Sequence, residues 1–279
     1  MRKTLIAATV AGLFSLPSVV MAQAAAPAAA PASPHTITGN LGIFSSYRFR
    51  GIDQTFGKPA LQGGIDYSHS SGIYLGNWNS NVNEGAGFPD SNLEMDFYGG
   101  YKFSVGDFGF DVGAIYYYYP GSDAGLDSTG LATKLGTPAN NRTGRFHNGS
   151  VSNTEVYVGA TWKFLSAKYF HSVDDYFSTP NTDGSGYFDL SATYDLGNGW
   201  GVNGHVGYLD FDNMRKADYT DWKIGVTKDI SGWVVGLSYI DTDANGSCSK
   251  GEFYCFTDGS DSTKNAGRGI AVLSVSKSF

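Results

Sequence analysis

The sequence predicts an all-β protein: a transmembrane antiparallel up-and-down β-barrel of twelve strands, with short periplasmic turns and longer external loops. Three observations predict it. From residue 37 onward, apolar and polar residues alternate with period 2 and show almost no 3.6 period. The connections between the alternating segments switch between short and long down the chain, which gathers the long ones at one end. Aromatic residues make up 15% and charged residues only 16%, yet the chain is not apolar on average. Because each strand parity faces one side of a sheet, that mixture suits a wall with lipid outside and a polar lumen inside.

The 279 residues include 38 Gly, 18 Phe, 18 Tyr and 5 Trp, with a net charge of −7. A bundle of membrane helices would need roughly 20 consecutive apolar residues per helix, which the barrel region lacks. So many aromatics demand burial and argue against disorder. The glycines have no three-residue period, so collagen fails too. At the N-terminus, Arg2 and Lys3 precede an apolar run from Leu5 to Val20 that ends in small residues. This is the pattern of a secretory signal peptide cut after Ala22, with Ala24 as the alternative site. No Cys follows, so a lipid anchor is not expected. The expected organisation is a signal at 1–22, an Ala/Pro-rich flexible leader at 23–36 and a barrel at 37–279. Losing Arg2 and Lys3 takes the net charge to −9, which argues against nucleic acid as a partner.

The expected strands follow in order. Segment 38–52 places Arg48 and Arg50 on one parity, with Tyr47 and Phe49 on the other. Segment 59–68 sets Leu61, Ile65 and Tyr67 against Gln62, Asp66 and Ser68. Segment 72–82 is weaker, since Ile73 and Leu75 oppose Tyr74 and Trp78, all apolar. Segment 92–103 is the clearest: Leu93, Met95, Phe97, Tyr101 and Phe103 oppose Glu94, Asp96 and Lys102. Segments 108–119 and 152–163 come next, the second with Val156, Val158, Ala160 and Trp162 against Glu155, Thr161 and Lys163. Segment 167–172 is short and weak. In 187–195, Phe188, Leu190, Ala192 and Tyr194 oppose Asp189, Ser191, Thr193 and Asp195. Segments 200–209, 219–228, 232–241 and 269–279 complete the twelve.

Short connections fall at 69–71, 104–107, 164–166, 196–199 and 229–231, several with turn residues such as Gly197-Asn198-Gly199. Long ones fall at 53–58, 83–91, 120–151, 173–186, 210–218 and 242–268. An outer-membrane barrel has this asymmetry, an even strand number and both termini on the periplasmic side. Closing the sheet satisfies every backbone group without water. Aromatics at strand ends suit interfacial girdles: Tyr47, Phe49, Tyr101, Phe103, Trp162, Phe164, Trp200, Trp222, Trp233 and Tyr239. The last segment ends on Phe279, the kind of terminal aromatic strand that barrel-assembly machinery recognises. A secreted β-sandwich or lipocalin-like barrel is the alternative, but it has no need of twelve strands with one-sided loops.

Several stretches carry a family resemblance: SSYRFRGIDQT (45–55), KPALQGGIDY (58–67), EMDFYGGYK (94–102), YYYYPG (116–121), TEVYVGA (154–160), KFLSAKY (163–169), GSGYFDLSATYDLG (184–197) and DWKIGVTKD (221–229). In this order, over about 40–279, the chain resembles the TorF family of porin-type proteins from proteobacteria. That family was long catalogued as conserved hypothetical proteins. The resemblance implies an outer-membrane β-barrel with a channel function and no assigned solute. Loops 120–151 and 242–268 depart from the family pattern, which leaves any specificity they carry open.

On the parity argument, the lumen is lined by Arg48, Arg50, Asp66, Glu94, Asp96, Lys102, Glu155, Lys163, Asp189, His205, Asp221 and Lys223. Basic and acidic groups facing each other would set up a transverse field across a constriction. The same groups, in a barrel between the filled eight-stranded and the open porin sizes, could instead pair and fill the interior. The expected function is passive diffusion of small hydrophilic solutes or ions through a narrow pore. The alternative is a non-conducting barrel whose loops at 120–151 and 242–268 bind a surface partner. The expected partners are outer-membrane lipid, the assembly machinery and the solute itself; oligomeric state stays open.

Cys248 and Cys255, the only cysteines, lie in the last long loop of an exported chain, so a disulfide is expected. Its eight-residue span would restrict the unfolded loop by roughly 2.5 kcal/mol. Asp241-Thr-Asp243-Ala-Asn245-Gly246 followed by Glu252 fits the spacing of a calcium loop. It follows a strand where a helix is usual, and the same residues are ordinary loop vocabulary, so no metal is assigned. No cofactor and no catalytic residue is expected. His205 beside Asn203 is the nearest catalytic candidate, and His69 and His171 stand alone. No phosphate loop, zinc spacing or dinucleotide fingerprint occurs.

Overall fold

A computed structural model describes residues 33–88, 91–122, 150–258 and 262–279. The signal region, most of the leader and most of loop 120–151 lie outside the described residues. Twelve strands form a closed antiparallel barrel. They are β1 (His35–Phe44), β2 (Ala60–His69), β3 (Ile73–Asn81), β4 (Leu93–Val105), β5 (Phe108–Tyr118) and β6 (Ser152–Trp162). Then follow β7 (Leu165–Ser172), β8 (Gly186–Gly197), β9 (Trp200–Asp210), β10 (Tyr219–Ile230), β11 (Trp233–Thr242) and β12 (Ile270–Ser278). Each strand pairs with its neighbour in sequence. The last pairs with the first, Asn40 opposite Ser278 and Phe44 opposite Ser274, so the sheet has no edge.

Period 2 sorts alternate residues to the two faces of the sheet, as expected. Ile65, Val158, Leu190, Ile224 and Leu237 are exposed on the outer face, while Gln62, Glu94, Asp96, Glu155 and Asp221 on the opposite parity are buried. Tyr101, Phe103, Trp162, Phe164, Trp200, Trp222, Trp233 and Tyr239 are also exposed on that outer face. The inner parity is not simply polar, however. Tyr74, Trp78, Tyr117, Tyr157, Phe170, Tyr187 and Leu209 point inward and form one buried cluster with loop residues. That is why segment 72–82 is apolar on both parities: Ile73 and Leu75 face out, Tyr74 and Trp78 face in.

The largest departure from expectation is the first strand. It ends at Phe44, not at residue 52. Residues 45–59 leave the wall and fold into the lumen, where Tyr47, Arg48, Arg50, Ile52, Asp53, Gln54, Thr55 and Phe56 are all buried. Tyr47 and Phe49 are therefore not girdle residues. Tyr47 packs edge-on against Trp78, and Phe49 against Tyr117, inside the barrel. The physical reason is a tight hairpin. Arg48 pairs with Asp53 and Phe49 with Ile52, and the two tip residues, Arg50 (φ 47) and Gly51 (φ 79), both adopt the left-handed backbone that such a turn requires.

The outer belt yields a first prediction. Val158→Arg, in the middle of β6, should lower the stability of the barrel refolded in lipid vesicles by ~2–4 kcal/mol, as a charge at the bilayer midplane does. Urea titration reads this directly. An unchanged midpoint would show that lipid does not cover this face.

Candidate functional site

The site is the lumen, and its long-connection half is occupied by the inward hairpin. Arg50 sits at the tip. Its guanidinium donates through Nη1 and Nη2 to Oε1 and Oε2 of Glu155 on β6, at 2.8 and 2.7 Å. This fork-to-fork geometry is the strongest form of side-chain ion pair. Aromatic rings enclose it: Arg50 Cζ lies 4.2 Å from the Tyr187 ring centre, 4.7 Å from Phe49 and 5.1 Å from Phe170. Nη1 also donates to the Tyr176 hydroxyl at 2.9 Å. Burial pushes the Tyr176 hydroxyl up to about 12, so it stays a neutral acceptor at physiological pH. Two further donors hold Glu155, Tyr117 at 3.2 Å and Asn153 at 3.3 Å.

The rest of the hairpin is tied to the barrel through its backbone. Tyr219 donates its hydroxyl to the Arg50 carbonyl at 2.8 Å. The amide of Asp53 donates to the Ala266 carbonyl, and that of Asn83 to the Gln54 carbonyl, each at 3.0 Å. Lys264 Nζ donates to the Phe56 carbonyl. Arg48 turns away from the Arg50 site: its Nη1 donates to the carbonyls of Ala266 at 2.7 Å and Arg268 at 3.3 Å. Its Nη2 lies 3.7 Å from Asp53.

Most of the other charged residues assigned to the lumen face inward from the wall, and tyrosines meet their carboxylates. Tyr98 donates to Asp66 at 2.5 Å, Tyr119 to Glu94 at 2.9 Å and Tyr187 to Asp221 at 2.9 Å. Asp96, on the same parity of β4 as Glu94, is fully buried with no hydrogen-bond partner on either carboxylate oxygen among the described residues. His205 is gripped from both sides, Nδ1 at 2.6 Å from Asp189 and Nε2 at 2.9 Å from Asp221. Lys102 lies over the Tyr74 ring at 4.3 Å. Lys223 lines a cavity on the short-turn side of the hairpin.

Lys163 is a correction. It occupies the two-residue turn after β6 with φ 55, exposed over the outward Trp162 at 4.3 Å, and does not line the lumen. The strand ends at Trp162, so the inward parity stops before Lys163 is reached. Arg48 and Arg50 are also corrected: they reach the lumen on the hairpin, not from the wall. Arg50 and Glu155 therefore do not face each other across an open gap but touch.

Sequence reading missed Asp53, Asp111 and Lys168. Lys168 Nζ donates to Asp111 at 2.8 Å, and Asp111 also accepts from Tyr74 at 2.6 Å. Lys102 and Asp111 are cross-strand partners, so alignment of the hairpin 92–119 could have found that acid. Below the plug, on the side of the short turns, a cavity of about 220 Å³ remains. Arg48, Arg50, Lys168, His205 and Lys223 reach it, with Asp189 as the lining carboxylate.

In the last long connection Cys248 and Cys255 form a disulfide. The carboxylates of the calcium-like spacing turn to separate partners: Asp243 accepts from the Thr220 amide and Glu252 from the Ser247 amide. Among the described residues no group of three acidic, His or Cys side chains is placed to hold a metal ion.

A closed twelve-stranded barrel with an apolar exterior, a charged interior and an inward loop defines the class of this protein. A model of a bacterial protein family of unknown function, Gcw_chp, matches residues 28–279, and the chain belongs to that family. No curated protein matches it. Among solved structures it is similar to the KdgM porin, at 7% identity over 87% of this chain and 97% of that one, with a TM-score of 0.46. It is also similar to the NanC porin, at 10% identity over 88% and 99%, with a TM-score of 0.47. A third is OmpT of Vibrio cholerae, at 11% identity over 90% and 99%, with a TM-score of 0.42.

Gly51 provides a test of the hairpin's seat. A Cβ there would lie 2.3 Å from Thr242 Cγ2 and 2.8 Å from Asp221 Cβ, whereas one on Gly106, also left-handed, would meet nothing within 4 Å. Gly51→Ala should therefore speed hydrogen exchange at the Asp53 and Gln54 amides by about tenfold or more, beyond the left-handed strain that both glycines share. Gly106→Ala should leave those amides unchanged. Equal exchange in the two variants would mean that the hairpin does not rest against this wall.

Proposed function

We propose that the protein is an outer-membrane, porin-like channel for passive diffusion of small hydrophilic solutes or ions, with the hairpin at 45–59 as its constriction. The observation that carries this reading is the lumen. A closed sheet with an apolar exterior surrounds a charged cavity of about 220 Å³, and a barrel built only for stability has no need of charge there. The TorF resemblance supports the same reading, as do the signal-like sequence at residues 1–22 and the one-sided long connections. The protein is read as non-catalytic, carrying no cofactor, with lipid and the transported solute as its partners.

Selectivity is assigned to the groups that reach the cavity: Arg48, Arg50, Lys168, His205 and Lys223 against Asp189. A second reading has a specific observation behind it. The Arg50–Glu155 pair clamps the hairpin across the lumen, as a permanently closed barrel would require, with the long loops then serving as a binding surface.

Planar-bilayer recording separates the two. The channel reading expects small conductance steps from the intact protein. It expects larger steps when residues 47–56 are replaced by a short Gly-Ser linker. Absence of current from both, in protein that shifts mobility between boiled and unboiled samples and is therefore folded, would reject the channel.

A further inference from the structure

A second cavity, of about 110 Å³, lies on the other side of the plug, among the long connections. Its wall is aromatic. Phe49 comes from the hairpin, Phe88 from the connection after β3, Phe177 from that after β7, Phe211 from that after β9, and Phe253 and Phe256 from the last connection. Rings from five separate parts of the chain thus converge on one small space.

Three tyrosines complete the wall, and their hydroxyls are already engaged with protein. Tyr176 accepts from Arg50, Tyr219 donates to the Arg50 carbonyl and Tyr254 donates to the Ala217 carbonyl. The Gln54 amide donates to the Ile52 carbonyl. Among the described residues Thr179 contributes the one further side-chain hydroxyl, and no charged side chain lines the space. Among the described residues the wall leaves few polar partners for a water, whereas apolar cavities of this order hold a benzene-sized ring. Phe177 itself is held at φ 47 and ψ 48, a conformation unfavourable for a bulky residue and typical of ligand clamps.

We propose that this cavity is a binding site for a small, uncharged single-ring aromatic molecule. The ring faces supply offset and edge contacts, and the spent hydroxyls leave little for a hydrophilic solute to bond. The site is distinct from the charged cavity beneath the plug, and the proposal does not depend on whether the barrel conducts. Its floor is the hairpin, through Phe49, Ile52 and Gln54, so the site exists only while the hairpin stays in the lumen.

The test uses the full-length folded protein in detergent micelles, with fluorobenzene as the probe and fluorine NMR as the readout. Two variants fill the space from different sides, Ala86→Phe and Thr179→Trp. Both are compared with the parent protein in identical micelles, so that partition into detergent cancels. The parent should show a saturable bound component. Each variant that retains the boiled–unboiled mobility shift should bind about tenfold more weakly or not at all. Glucose should not compete. The proposal is overturned by no saturable component in the parent, by equal binding in both filled variants, or by displacement with glucose.

Discussion

The interior depends on one ion pair, Arg50 with Glu155, formed between a loop and the opposite wall. Both side chains are almost fully buried, and desolvating two charges is repaid only when geometry and further hydrogen bonds are good. Here the fork is bidentate, and Tyr117, Asn153 and Tyr176 supply the additional bonds. The rings of Phe49, Phe170 and Tyr187 add cation–π contacts while excluding water. The segment that carries Arg50 also carries Tyr47, Ile52 and Phe56, which form a core where a wide channel would hold water.

The tyrosines make this possible. A lumen with this many carboxylates would repel itself if each stood alone. Asp66, Asp111, Glu155 and Asp221 each accept a hydrogen bond from a tyrosine on another strand, and Glu94 accepts one from Tyr119, just past the end of β5. The ring buries apolar area while the hydroxyl satisfies the acid, so one residue type serves packing and charge together. The outer surface remains aliphatic and aromatic, and the inner surface is a layer of phenols, acids and a few bases. Two cavities follow from where the hairpin lies: a charged one beneath it and an aromatic one above.

Much of the fold was legible from residue 37 onward because the two faces of a closed sheet impose opposite demands on alternate residues. All twelve segments appear as strands in the expected order. The hairpin was not legible, because Tyr47, Arg48, Phe49 and Arg50 continue the same alternation and read as more strand. Gly51 and Gly57 were the only local signs of a break, and glycine is common throughout this chain. The lumen residues from Asp66 to Lys223 were found by parity alone, whereas Lys163 was misplaced by one strand end. The partner of Arg50 could not be read, since 105 residues separate it from Glu155 and only barrel closure brings them together. The interior tyrosines were hidden because aromatic residues on either parity look alike in sequence.

The most direct measurement of the central claim is a double-mutant cycle on Arg50→Met and Glu155→Met, read as the opening free energy of the hairpin from amide exchange. Each single change should raise opening strongly, by ~3–5 kcal/mol, because it strands a buried charge. The double change should recover most of that loss. Independent, additive effects of the two substitutions would show that this pair does not hold the hairpin in the lumen.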